Sequence, residues 1–494
     1  MCVRENKYGI SEYNPPKKLM TASEYRTRMD ELANMPSKTS VGNEFYDKLE
    51  NLRNDLYDMI TYNTDEVSPE GNVYYISNVG DDNADGKSPN TAWRTLEKVN
   101  SVNLAGGDAV LLRRGDMWRE NLILKSGVTF SAYGVGPKPQ IRLAYDGKND
   151  AKWLKTDMEN IWVFDKVLDD KDIGLVLFNN GEFYAERKYT FATLTEDFSY
   201  MFCNEFCFEE ENVWDNKVYV YCSKGNPADV FEQVDISRHG STIQLPGLSH
   251  DILVKNIETF FGQDYFFAGS TKNIRIEYCT FAWAGGTALK RSTGERVRFG
   301  GGGGSWHSCD GMIMDHCYFT QHFDTAVTPQ YNWHEEEPAI FKDYRVQDCL
   351  IEYTEYSFEY FNSQSNHDDN CFDGLYFGYN FCRLGGKGFG DKKSGSRYIK
   401  SWRHENVCYN SLFENNIFDR AESLSIEVIS HAPGKSFDEV SYDYLPKMRK
   451  NIYIEPKDKD FANINCITYK YNEASFITLQ KLGIEDDPVY LFAE

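Results

Sequence analysis

The chain has 494 residues, 41% of them hydrophobic and 15% aromatic, enough to bury a large core. A formal net charge of −23 argues against a nucleic-acid partner, which calls for basic stripes, and weighs against a long polyanionic substrate. The first residues, MCVRENKYGISEYNPPKK, contain no apolar signal core, and no run of about 18 apolar residues suggests a membrane span. With twelve cysteines and no zinc-type spacing, reduced thiols and a cytoplasmic location are expected.

Residues 1–70 show apolar positions at three- and four-residue steps in YRTRMDELANM and EFYDKLENLRNDLYDMITYN. This predicts two helices, with Asn43 as N-cap of the second, forming a cap over the open end of a strand array. The alternative is an oligomerisation arm, which would make the chain a homo-oligomer.

Residues 71–136 change to strand patterns around an Asp/Asn/Gly turn. Asp81-x-Asn83-x-Asp85-Gly86 imitates the start of a calcium loop, but its twelfth position is Ala92, so the bidentate carboxylate is missing. A tight turn satisfied by its own side chains is the preferred reading. No cofactor is expected, a structural calcium at this turn being the remaining alternative. Residues 137–250 break the pattern and read as an inserted antiparallel β subdomain.

Residues 251–494 carry the repeat. From Asp251 to about His431 one short phrase recurs, as in NIRIEYCTFAWAGGTALK, GMIMDHCYFTQHFDTAVTPQ and DYRVQDCLIEYTEYSFEYF. Each phrase alternates apolar and polar residues, then turns into a second short strand, the pattern of a β solenoid and not of a helical array. Cys279, Cys317, Cys349 and Asn380 align in one column, and Phe281, Phe319, Ile351 and Cys382 in the column two places on. Both are expected to be core ladders. The fold class is therefore all-β, a parallel β-helix with a short helical cap and a β-rich insertion.

Two acids interrupt otherwise small or apolar columns. Asp324 aligns with Gly286 and Tyr356, and Glu359 with Leu289 and Val327. The loop 331–342 lies between them, and removing about eleven loop residues from the 35-residue gap leaves 24, one coil. Adjacent coils about 4.8 Å apart, with an offset of up to three residues, would bring the carboxyls to roughly 5–9 Å, the range of glycosidase acid pairs. The aromatic residues flanking Glu359 would raise its pKa by desolvation. The five glycines Gly300–Gly304 lack the spacing of a phosphate loop and read as a flexible excursion that brings Trp306 and His307 to the groove's edge. Lys387 is expected in the Asp324 column, with Asp391, Lys392, Arg397 and His404 in the loop beyond it.

DNADGKSPNTAWRTL and GGDAVLLRRGDMW resemble the opening coils of right-handed parallel β-helix proteins of the pectate-lyase-like superfamily. CYFTQHFDTAVTPQ and YTEYSFEYF resemble coils of its β-helix glycoside hydrolases, including β-xylosidase-like enzymes. That resemblance implies an oligosaccharide substrate, Asp324 as nucleophile, Glu359 as general acid/base and Gln330 as a substrate contact. Ala326 and Phe361 depart from the pattern, which has Gly and Trp there. The expected substrate-binding set is Gln330, His322, Trp306, His307, Tyr360, Glu355, Lys387, Asp391 and Lys392, with no metal. Two other readings stand: a polysaccharide lyase whose base is Lys387 or a neighbouring cation, and a non-catalytic carbohydrate-binding β-helix.

Overall fold

The computed structural model describes residues 13–493 except 210–212, 291–293, 306–307, 332–337, 363–368, 391–394, 403–405 and 432–439. Its body is a parallel β-helix in which three long sheets run side by side. One full turn runs through Cys309–Asp315, Tyr318–His322 and Thr325–Val327, and the next through Ile340–Gln347, Leu350–Glu352 and Tyr356–Asn362. Equivalent strands pair in parallel with strict register: Phe281 with Phe319, Phe319 with Ile351, and Ile351 with Cys382. The column read from the sequence is thus a stacked core ladder.

The neighbouring column closes by side-chain bonding along the axis. The Cys349 amide donates to Asn380 Oδ1 (3.0 Å), the Asn380 amide to Asn416 Oδ1 (3.0 Å), and the Asn416 amide to Asn451 Oδ1 (3.1 Å). These amides turn away from the sheets at the corner, and the asparagine ladder satisfies donors that the pleat cannot. Small residues are required there because the side chain points inward beside the corner.

Two helices do form, at Ala22–Ala33 and Asn43–Thr61. The N-cap of the second is Gly42, not Asn43. The pair lies along the side of the solenoid and not over its end, which corrects the expected placement. The outer face of one sheet carries Tyr318, Leu350, Phe381, Ile417 and Ile452, and this apolar stripe needs cover; Tyr25, Met29, Leu49, Leu52 and Leu56 supply it. Arg26 forks onto Asp348 (2.9 and 2.5 Å), and Arg53 reaches Glu352 (3.2 Å). The ends of the core are closed instead by the short helix Leu96–Ser101 and, at the other end, by Glu473–Lys481, whose Phe476 stacks on Tyr490 at 4.3 Å.

The insertion is shorter than the pattern suggested. Gln140–Asp146 still belongs to the solenoid, pairing with Glu258–Phe261, and regular coils resume at Ser241–Leu245, before Asp251. Between them sits a five-stranded, mostly antiparallel sheet with its own core of Trp153, Phe164, Tyr200, Phe202, Val218 and Val220. It is anchored through the buried Arg187–Asp172 pair, whose carboxylate also accepts the Ala288 amide at 2.5 Å. At the calcium-like turn, Asp81, Asp82 and Asp85 accept from Asn83, Arg94 and Lys87 amides at 3.0, 2.7 and 3.0 Å.

Candidate active site

The third sheet carries the acids. Its ladder runs through Phe266, Gly303, Val327, Phe358, Ile399 and Ile426 at one register. Counting from that line places every neighbour. Thr325 pairs with Tyr356, so Asp324 lies one residue before, level with Glu355; the Asp324 carbonyl accepts from the Tyr356 amide at 2.9 Å. Glu359 pairs with Lys400 and Lys400 with Glu427, which puts Glu359 level with Thr328 on the preceding coil. The expected alignments with Tyr356 and Val327 were therefore off by one residue, and those with Gly286 and Leu289 do not hold: Thr287–Lys290 pairs antiparallel with Arg296–Phe299 outside this ladder, and the rung before Asp324 is the glycine run. Asp324 and Glu359 are on adjacent coils as expected, but offset by four positions, about 13 Å along the strand at 3.3 Å each.

Lys400 bridges that offset. It is buried, its ammonium lies 4.2 Å from the Tyr356 ring centre and 3.8 Å from that of Trp402, and it faces Glu359, Glu427 and, more distantly, Asp324. Burial pulls its pKa down, and the surrounding carboxylates oppose that pull. Glu359 in turn accepts the indole N–H of Trp402. Arg397 stands on a strand, not in a loop, and its Nε donates to Glu427 Oε2 at 2.8 Å.

A third acid was not anticipated. Asp264 opens the strand Asp264–Ala268 and is only 8% exposed. Burial, with the charge of Asp324 adding to it, pushes its pKa up to about 7, against a hydrogen bond from the Gly301 backbone. The sequence did hold the signal. Glu258, Thr280 and Tyr318 share one register, and Asp264 follows Glu258 by the same six residues that separate Asp324 from Tyr318, which brings the two acids close; on the third sheet itself Asp264 is level with Thr325, one residue beyond Asp324.

The coil between these two aspartates is the glycine run, and it is a packed rung, not a flexible excursion. Gly303–Ser305 is a strand paired on both sides. A Cβ on Gly303 would sit 2.1 Å from the Tyr265 ring, and one on Gly304 2.0 Å from the Thr328 carbonyl oxygen. With no side chains on this rung, the sheet surface dips between Asp264 and Asp324.

The remaining expected residues separate cleanly. His322 and Tyr360 are core residues and offer no groove surface. Burial takes the His322 pKa down to about 4; its Nε2 lies 3.1 Å from the Phe281 carbonyl oxygen, and its ring packs on Tyr265. Tyr360 packs between Phe372 and Phe413. Tyr360 directly follows Glu359 in the strand Tyr356–Asn362 and so faces the opposite side of the sheet, while His322 ends the strand Tyr318–His322 with its ring in the core. Gln330 is buried and accepts from Thr328 Oγ1 at 3.1 Å. Glu355 is buried beside Asp324. Lys387 leaves the Asp324 column, which Ser396 continues; it is half-exposed, with Nζ 3.6 Å from Glu422. Trp306, His307, Asp391, Lys392 and His404 lie outside the described residues. Among the described residues, Asp315, His316 and Asp348 form a cluster with metal-ligand chemistry beneath the first helix, where Arg26 already takes both oxygens of Asp348.

Asp264 makes stability depend on pH with a definite sign. Its folded pKa lies above the unfolded value near 3.8, so the unfolded chain releases this proton first. Stability from this group is full below about pH 4 and is lost as pH rises toward 7. Asp264→Asn is expected to flatten the fall in melting temperature between pH 4 and 7 relative to wild type. Parallel melting curves for both proteins across that window would refute the assignment.

No protein-family model matches the chain. A lacto-N-biosidase of Bifidobacterium longum subsp. longum is 29% identical over 109 residues, 20% of this chain and 7% of that protein's length. XylC in complex with xylose is similar in structure with a TM-score of 0.45 at 12% identity, covering 85% of this chain and 82% of the other. The GH136 lacto-N-biosidase from Eubacterium ramulus gives a TM-score of 0.37 at 14% identity, covering 97% and 81%. The sequence similarity is confined to one short stretch, and the chain spans only a small part of the length of the Bifidobacterium relative.

Proposed function

We propose that the chain is a glycoside hydrolase acting on oligosaccharides. The observation that carries this is a second acid, Asp264, two coils from Asp324 on the same sheet and one residue from it in register, level with Thr325, across a rung of glycines. Burial first, and the nearby charge of Asp324 second, push the Asp264 pKa up to about 7, so that it can hold a proton near neutral pH. Two intervening sheet spacings amount to about 9.6 Å of backbone separation, and side chains leaning inward close this toward the range of an acid and a base with substrate between them. Asp264 then donates to the leaving oxygen, and Asp324 acts on the anomeric carbon, directly or through water. Glu359 has different work: it accepts from Trp402 and is counter-charge to Lys400, a wall of the groove. The short sequence similarity to a lacto-N-biosidase agrees with a glycosidase.

The test is a panel of neutral and uronate-containing oligosaccharides, with reducing ends and the ultraviolet absorbance of unsaturated products followed together. New reducing ends without absorbance, abolished by Asp324→Asn, are expected. Absorbance rising with cleavage would make the protein a lyase. Binding without cleavage of any member would leave a carbohydrate-binding β-helix.

A further inference from the structure

Beyond Glu359 the same sheet face opens into a cavity of about 380 Å³, lined among others by Arg397, Lys400, Trp402, Glu427, Asn463 and Cys466. Nothing in the acid chemistry uses it. Trp402 is 38% exposed although its indole N–H is held by Glu359 and Lys400 sits 3.8 Å from its ring centre. The ring is thus fixed on one side by a hydrogen bond and a cation, and its remaining surface borders the cavity. A rigid, partly exposed aromatic ring next to polar groups is the arrangement that takes the apolar face of a pyranose while hydrogen bonds hold its hydroxyls. Here Asn463 and the Glu427 carboxylate supply those partners.

Charge decides the class of sugar. The two cations of the cavity already face carboxylates: Arg397 donates to Glu427 at 2.8 Å, and Lys400 lies 3.9 Å from the same oxygen and faces Glu359. A uronate would add a carboxylate to a balanced set and displace one of these pairs. A neutral ring displaces none.

We propose that this cavity is a second sugar subsite, which holds a neutral pyranose of the oligosaccharide against Trp402 while the bond beside Asp324 is cleaved. The proposal rests on the hydrolase reading for its place in a reaction, but its binding test is independent of activity. The far wall supplies the probe. Cys466 is exposed in a tight turn after Asp460–Ile464, whereas most of the other described cysteines are buried. Occupancy of the cavity should shield its thiol.

The experiment measures alkylation of Cys466 by iodoacetamide, read by peptide mass mapping, in the presence of xylose, galactose, N-acetylglucosamine or glucuronate. For a neutral sugar at about four times its Kd, the rate at Cys466 should fall about fivefold, by the factor 1 + [L]/Kd. Alkylation of Cys371, away from the cavity, should be unchanged. Trp402→Ala should abolish the protection, and Trp402→Phe, which keeps a ring but loses the N–H to Glu359, should retain most of it. Equal or stronger protection by glucuronate would overturn the neutral-sugar assignment. Absence of protection by all four, or protection that survives Trp402→Ala, would overturn the subsite. If Asp324→Asn abolishes cleavage yet Cys466 is never shielded, the subsite alone fails. If Cys466 is shielded and nothing is cleaved, the hydrolase reading alone fails.

Discussion

Asp324→Asn should lower turnover of a cleavable oligosaccharide by about 10³-fold or more, a barrier increase of at least about 4 kcal/mol. An amide is isosteric with the carboxylate but neither attacks the anomeric carbon nor takes a proton from water, so improving the leaving group cannot compensate. Asp264→Asn should behave differently. Proton donation contributes about 10²–10⁴-fold when the leaving group is a sugar alcohol and little when it is already a stable anion. Asp264→Asn is therefore expected to lose oligosaccharide cleavage and to retain most activity on a nitrophenyl glycoside of the same sugar. In wild type, cleavage of the oligosaccharide should fall as pH rises through about 7, where Asp264 gives up its proton, and the nitrophenyl glycoside should not show that limb. Glu359→Gln should raise KM more than it lowers kcat, because it keeps an oxygen for the Trp402 N–H but removes the counter-charge of Lys400 beneath the Trp402 ring. If Glu359→Gln, and not Asp264→Asn, shows the leaving-group dependence, then Glu359 is the proton donor, the role its coil's resemblance implied, and Asp264 only sets the charge around Asp324.

Legibility in the sequence followed the chemistry of each column. Cys279, Cys317, Cys349 and Asn380 were readable because a ladder repeats like with like, and each residue reinforces the alignment of the next. The groove columns were not readable in this way. Their residues change from rung to rung, Thr328, Glu359, Lys400, Glu427, because a binding surface is made of differences. The stretch 331–342, expected to be a loop, holds at its end the first residues of the strand Ile340–Gln347, and the alignment across it was out by one residue. Lys400 and Trp402 stand among Ile399 and Ser401 in a strand whose alternation is ordinary, and only the pairing with Glu359 singles them out. Asp264 is legible only across two coils, because the rung between it and Asp324 is glycine and offers no acid to align with either. The helices were visible from their period, but which apolar stripe they cover depends on the outer face of a sheet spread over five separate coils.

The glycine run offers the sharpest contrast between a loop and a rung, because the two predict opposite signs. In a flexible loop, glycine to alanine at a backbone conformation open to alanine stabilises by about 0.4–1 kcal/mol, through loss of freedom in the unfolded chain. In the rung seen here, the Cβ of Gly303→Ala would lie 2.1 and 2.2 Å from two atoms of the Tyr265 ring. That ring has nowhere to go. It is fully buried, its hydroxyl donates to the Ala326 carbonyl at 2.6 Å, and it is packed against Phe281 at 4.2 Å and His322 at 5.0 Å. Relief must come from separating the coils, which breaks the pairing of Gly303 with Phe266 and Val327. Gly303→Ala is thus expected to destabilise by about 3 kcal/mol, at the upper end for overpacking by one methyl. Gly247→Ala, where a Cβ meets nothing within 4 Å, should stay within about 0.5 kcal/mol of wild type. Denaturant melts of the three proteins decide it. An unchanged or raised midpoint for Gly303→Ala would mean that the run does not form the floor between Asp264 and Asp324, and the acid pair would lose the spacing that its chemistry needs.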